Sequence, residues 1–236
     1  HTDPQTASEL EVAENIALAA LDHCPVDELA CMEARGYAHA ALAHVAWSRN
    51  ENTSPFVSKA IDTGTAIEDA GNHYSGRWIL SAANSIRIQT LAIERSDDIY
   101  ACADSIATVL ATSGHLPGPT ANTRIGTACS DGLQKLWAFP DPNLIHLSAD
   151  SCVEAAHRIT DDDDRAFVLV SALLHRGQAQ LMLGHPSAAG LDAEQALEVS
   201  ESLHAPVFRT TMTIKAMRLQ SQSLELLGDI SGATEA

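Results

Sequence analysis

The sequence predicts an all-α protein, a superhelical array of antiparallel helix pairs that repeats about every 44 residues. Its apolar content is rich in alanine, and aromatic residues make up only 4 % of the chain, which favours close helix packing over a sheet-based core. Apolar residues also recur at a fixed period, which is typical of helical repeats. Steps of 44 residues in both directions from Ala189 land on Ala13, Val57, Ala101, Ile145 and Ala233.

Residues that favour helix starts move with the same period. Ser-Pro at 54–55, Asp-Pro at 141–142 and His-Pro at 185–186 each lie just before an apolar anchor, and proline fits the first helical turn. Ser8 and Glu11 have the spacing of a capping box. These markers predict helices near 6–22, 27–48, 54–70, 73–94, 97–113, 124–138, 142–159, 163–183, 186–203 and 206–227, with a last helix beginning at 230.

Residues 6–236 are predicted to form one helical-repeat domain, and residues 1–5 to be a tag or a disordered end. The segment HLPGPTAN, residues 115–122, predicts a long loop or a hinge between two halves. The apolar run 166–174 has strand propensity, but it continues without a break into a helical segment, which favours a helix.

Charge and cysteine content limit the environment and the partners. The net charge of −17 makes direct contact with nucleic acid unexpected, because such a surface repels phosphate backbones. No apolar run is long enough to span a membrane, so no membrane association is expected.

The cysteines are odd in number and form no C-x-x-C. This pattern indicates buried or free thiols in a reducing, cytoplasmic environment, rather than a disulfide or zinc framework.

The motif content of the sequence favours a binding protein over an enzyme. The sequence has no phosphate-binding glycine loop, nucleophile elbow or zinc-protease motif. His39 and His44 are five residues apart, whereas a helical metal pair needs a spacing of four. We therefore expect no catalytic residue, no metal ion and no cofactor.

The candidate binding residues lie on the first helix of each pair, because these helices line the concave face of a helix-pair superhelix. Glutamines at 134, 178 and 222 recur one period apart, and their amides can hold a peptide backbone or a polar ligand. Two basic residues on the last of these helices can hold a carboxylate or a phosphate. The predicted site residues are Gln134, Trp137, Gln178, Lys215, Arg218, Gln222, His39 and Arg49.

Small residues recur at fixed intervals near the end of the chain, at Gly177, Gly184, Ala189 and Ala196. This is the spacing of the small-residue positions in the tetratricopeptide repeat, which the segment resembles. Residues 163–236 also resemble the helical sensor regions of large bacterial LuxR-type, maltose-activator-like transcriptional regulators, through an RG-x-A-x-x-x-x-G-x-x-x-x-A core and an L-x-G-D-x-x-x-A turn.

The resemblance implies a module that binds a small-molecule inducer, a protein or a peptide and transmits the signal within a larger regulator. The alternative is a stand-alone scaffold of the tetratricopeptide type that binds a peptide or protein partner in its groove.

Overall fold

The computed structural model describes residues 4–24, 28–92, 94 and 97–228, and these residues form helices and connecting turns without a strand. The all-α prediction is confirmed, including a helix across the ambiguous run 166–174. The elements are α1 (Pro4–His23), α2 (Leu29–Ser48), α3 (Ser54–Asp69), α4 (His73–Thr90), α5 (Asp98–Ser113), α6 (Gly118–Thr127), a π-helical turn (Ala128–Gly132), α7 (Leu133–Leu136), α8 (Pro142–Ala156), α9 (Asp162–Met182), α10 (Pro186–Ser200) and α11 (Pro206–Leu227).

Helices that follow one another in the chain pack against each other. The segments α6, the π-helical turn and α7 form one continuous helix. This helix packs on α5, which precedes it, and on α8, which follows it. Alternate helices also meet: α2 contacts α4, α4 contacts α6, α6 contacts α9, and α9 contacts α11. We call these helices the first-helix row, and the candidate site lies on it.

Local chemistry explains where the helices begin and end. Asp141 accepts hydrogen bonds from two backbone N–H groups of α8, and Asp161 does the same for α9. These N–H groups have no acceptor within the helix, so the caps stabilise each helix start. Pro186 is the first residue of α10, as predicted. Gly184 follows α9 with a φ of 79°, and Gly228 follows α11 with a φ of 82°. Glycine adopts this left-handed conformation without a steric penalty, so both helices stop there.

Some boundaries differ from the sequence expectations. Ser8 and Glu11 lie inside α1, so they do not form a capping box. Segment 115–122 is not one long loop, because α6 begins at Gly118 and Pro119 fits its first turn. The hinge proposed there stays a prediction. Residues 1–3 and the helix expected from 230 lie outside the described residues.

The core depends on alanine and on one covalent link. Ala189 and Ala196 are fully buried, which places them at helix contacts as predicted. Cys129 of the π-helical turn and Cys152 of α8 form a disulfide, with Cα atoms 5.5 Å apart, so the expectation of free thiols throughout was wrong. Cys102 remains a buried thiol, and burial raises its pKa to about 11.

The disulfide removes the cysteine argument for a reducing environment, because such bonds persist mainly in oxidising compartments. The cytoplasmic location stays a prediction. Within the described ranges, no helix is both long and apolar enough to cross a membrane.

Candidate functional site

A cavity of about 620 Å³ opens between the last three members of the first-helix row. Its volume is in the range of small-molecule sites, and its wall combines apolar and polar side chains as such sites do. The described residues that line it are Gln134, Trp137, Ser171, Leu174, His175, Gln178, Met212, Lys215, Arg218, Leu219 and Gln222.

The structure therefore brings together six of the eight predicted site residues. Gln134, Gln178 and Gln222 come from three different helices, each at the seventeenth residue of its continuous helix counted from Gly118, Asp162 or Pro206. Equal register on two adjacent α-helices explains why Gln178 and Gln222 meet, and the π-helical turn before Gln134 sets the face on which Gln134 lies. The lining residues of α9 and α11 recur every three or four positions, so one face of each helix is turned to the cavity.

Contacts outside the cavity hold these faces in place. Arg176 of α9 donates two hydrogen bonds to Asp192 of α10, at 3.1 and 2.7 Å, and a third of 2.6 Å to Asp150 of α8. Gly177 lies so close to α11 that an added Cβ would be 2.6 Å from Leu219 Cδ2. Arg176 and Gly177, which lie between His175 and Gln178 on α9, thus contact α8, α10 and α11.

Two rings in the cavity wall are joined by a hydrogen bond. Trp137 Nε1–H donates to His175 Nδ1 at 2.7 Å. Because Nδ1 accepts this bond, the neutral ring carries its proton on Nε2, which is then a donor. Burial, assisted by the charge of Lys215, lowers the pKa of His175 to about 4. The ring is therefore neutral at neutral pH.

The cavity is cationic although the protein is strongly acidic. None of the described lining residues is Asp or Glu. Lys215 and Arg218 lie three residues apart on the same face of α11. Within the described part of the chain, neither side chain has a hydrogen bond or an ion pair. Both are exposed and able to receive an acceptor from outside the chain.

A second cavity of about 490 Å³ continues the groove toward the end of α4. It shares Gln134 and Trp137 with the first, and Leu91 lines its far side. Lys135, also in its wall, donates to the carbonyl oxygens of Gln89 and Leu91 at 3.0 and 2.7 Å. The groove is thus longer than the first cavity alone.

Two predicted site residues lie elsewhere. Arg49 forms an ion pair of 2.7 Å with Glu14, which connects the end of α2 to α1. His39 is buried within α2, and its Nδ1 has no partner among the described residues. Burial, with smaller contributions from Lys59 and Arg35, lowers the pKa of His39 to about 4. Neither residue lines the cavity at α11.

The sequence reasoning missed His175, although a signal for it was present. His175 lies four residues after Ser171 and three before Gln178. Residues at this spacing lie on one face of an α-helix, so all three share a face. The apolar members Leu174, Met212 and Leu219 were missed because an apolar residue on a helix is usually assigned to the core.

No family model, curated protein or solved structure matches this chain.

Proposed function

We propose that this protein is a ligand- or protein-binding helical-repeat module, and that the groove of the first-helix row is its binding surface. The observation that carries the proposal is the convergence of Gln134, Gln178 and Gln222 with Lys215 and Arg218 on one cavity. These polar groups come from three helices, and their donors and acceptors can form hydrogen bonds to a molecule in the cavity. A binding surface requires such convergence, whereas a purely structural helix array does not.

The helix spacing supports the superhelical part of this proposal. Four helices, α3, α5, α8 and α10, begin at residues 54, 98, 142 and 186, so that each start follows the previous one by 44 residues. Helices of the first-helix row begin at 29, 73, 118, 162 and 206, with steps of 44 or 45. Regular units in which each contacts its neighbours generate solenoids with a concave binding face.

The sequence resemblance of residues 163–236 to the sensor regions of LuxR-type regulators supports a role in transcription regulation. In this proposal the module recognises an inducer or a protein partner and passes the signal to the rest of the regulator. It is not an enzyme, and it contributes no nucleic-acid contact of its own.

A stand-alone scaffold that binds a peptide is the second candidate. The observation that favours it is the continuation of the groove past Trp137 to Leu91, because an extended chain would use both cavities. A compact inducer would need only the first. Peptide recognition in such a groove would use the glutamine amides for the backbone and the apolar wall for side chains.

A thermal-shift screen with metabolites and peptides, followed by variants, tests the location of the site. For any hit, Gln178→Ala combined with Arg218→Ala should weaken binding by at least about 1.4 kcal/mol, a factor of ten. The matched control reverses the charge of Glu194 and Glu198, which are exposed on α10 outside the groove, and should bind as the parent does. Loss of binding only in the Glu194 and Glu198 variant would reject the groove as the site.

A further inference from the structure

The charge distribution indicates which class of ligand the first cavity takes. Most cationic side chains among the described residues already have acceptors. Examples are Arg49 with Glu14, Arg77 with Glu68, and Arg176 with two aspartates. Lys215 and Arg218 have no internal acceptor in the described chain. What sets them apart is that they line one cavity together, and its described lining holds no carboxylate.

Two adjacent cations without an anion between them repel each other, so the arrangement by itself is mildly unfavourable. An anionic group placed between them would relieve the repulsion and gain charge-assisted hydrogen bonds. Trp137 fixes the proton of His175 on Nε2, so this ring adds a neutral donor in the same cavity. Lys215, Arg218 and His175 thus act as donors, and no carboxylate in the described lining competes as an acceptor. This combination favours a ligand that is rich in acceptors.

The wall also has an apolar part, beside the three glutamines and Ser171. Trp137, Leu174, Met212 and Leu219 contribute it, and Met212 and Leu219 are nearly buried. A fully hydrated inorganic ion would gain little from such a wall. A molecule with an apolar body would bury that body there and add hydrophobic stabilisation to the charge interaction. A volume of about 620 Å³ accommodates a small organic molecule.

We propose that the cavity binds a small organic anion with an apolar body, its charged group against Lys215 and Arg218 and its body against Trp137. This proposal depends on the function proposed above and specifies the ligand for the same site. A carboxylate, a sulfonate or a phosphate ester on an aromatic or acyl body would satisfy it. An acidic peptide would instead extend along the groove to Leu91.

Two fluorescent probes that differ in one group test the proposal. Anilinonaphthalene sulfonate carries an anionic sulfonate on an aromatic body, and phenylnaphthylamine has the same body without the sulfonate. Titrated at neutral pH and low salt, the sulfonate should bind one site per chain, at least about tenfold more tightly than the neutral probe. Added salt should weaken only the sulfonate complex.

Variants assign the site. Lys215→Met with Arg218→Gln should lower the affinity for the sulfonate at least about tenfold and leave the neutral probe unchanged. Both side chains are exposed, so the fold should persist, and circular dichroism checks it. Lys59→Met is the matched control, since Lys59 is an exposed lysine of α3 outside the cavity. Trp137→Leu should weaken both probes.

The outcomes separate this proposal from the proposed function. Equal affinity for the two probes, with both weakened by Trp137→Leu, would overturn the anionic class and support the groove as a ligand site. Loss of sulfonate binding in Lys59→Met to the same extent as in the double variant would also overturn it. If no cavity substitution affects either probe, the cavity is not a small-ligand site, and both the anion proposal and the inducer form of the function fail.

Discussion

The three-helix ion network around Arg176 gives the sharpest stability prediction. The carboxylate of Asp192 is only 6 % exposed and receives two of the three hydrogen bonds from the guanidinium. Asp150 receives the third, yet its side chain is 48 % exposed. These hydrogen bonds raise the pKa of Arg176, so the cation is retained at every accessible pH. Arg176→Met leaves Asp192 buried without its cation.

The expected cost follows from this difference in burial. Removing one partner of a buried ion pair destabilises a protein by about 3–5 kcal/mol, because the other charge stays desolvated. Arg176 is itself 18 % exposed, so water can reach the vacated side, and we expect the lower end, about 3 kcal/mol. Asp150→Asn removes the charge from a contact that is half in water and should cost about 0–1 kcal/mol.

Urea denaturation at neutral pH measures these costs through the free energy of unfolding, with the m-value as a check on two-state behaviour. The double variant Arg176→Met with Asp192→Leu removes the uncompensated charge and should recover most of the loss. If Arg176→Met costs no more than Asp150→Asn, or if the double variant is as unstable as the single one, the carboxylate of Asp192 is not desolvated and the reasoning is refuted.

Two further predictions concern the helix contacts and the buried imidazole. Ala189→Leu should overpack the fully buried contact of α10 and lower the free energy of unfolding by about 1–3 kcal/mol; a thermal melt identical to that of the parent would contradict this. His39 has a folded pKa of about 4 against an ordinary 6.5, so as pH falls between these values the unfolded chain gains a proton and the folded chain does not. Stability present above pH 6.5 should therefore be lost toward pH 4, by at most about 3.4 kcal/mol for this group. His39→Leu should show a smaller loss than the parent between neutral pH and about pH 4.5, and equal losses would exclude His39 as a cause.

Much of the helical architecture could be predicted because its signals are local. Proline after a capping residue marks the start of α8 at Asp141, and the glycine at 184 marks the end of α9. The polar side of the cavity was predictable for a related reason. Gln134, Gln178 and Gln222 recur at a fixed interval, and equal register on adjacent α-helices places Gln178 beside Gln222.

The features that the sequence did not reveal depend on tertiary proximity. Cys129 and Cys152 are 23 residues apart and form no spacing motif, and only packing of the π-helical turn on α8 brings their Cα atoms to 5.5 Å. The isolation of His39 has the same origin. It has the helical position of a groove residue, but neighbouring helices bury it.

The π-helical turn connects these core features to the groove. Each residue of an α-helix advances about 100° around the axis, so a turn with one additional residue resets the face on which all later residues lie. If residues 128–132 were α-helical, Gln134 and Trp137 would rotate by about that angle, away from His175 and the cavity. The disulfide of Cys129 holds the turn on α8. On the opposite side Gly132 packs on α5, where an added Cβ would lie 2.7 Å from a side-chain carbon. The orientation of Trp137 in the cavity therefore depends on the Cys129–Cys152 disulfide and on the packing of Gly132, and neither of these lines the cavity.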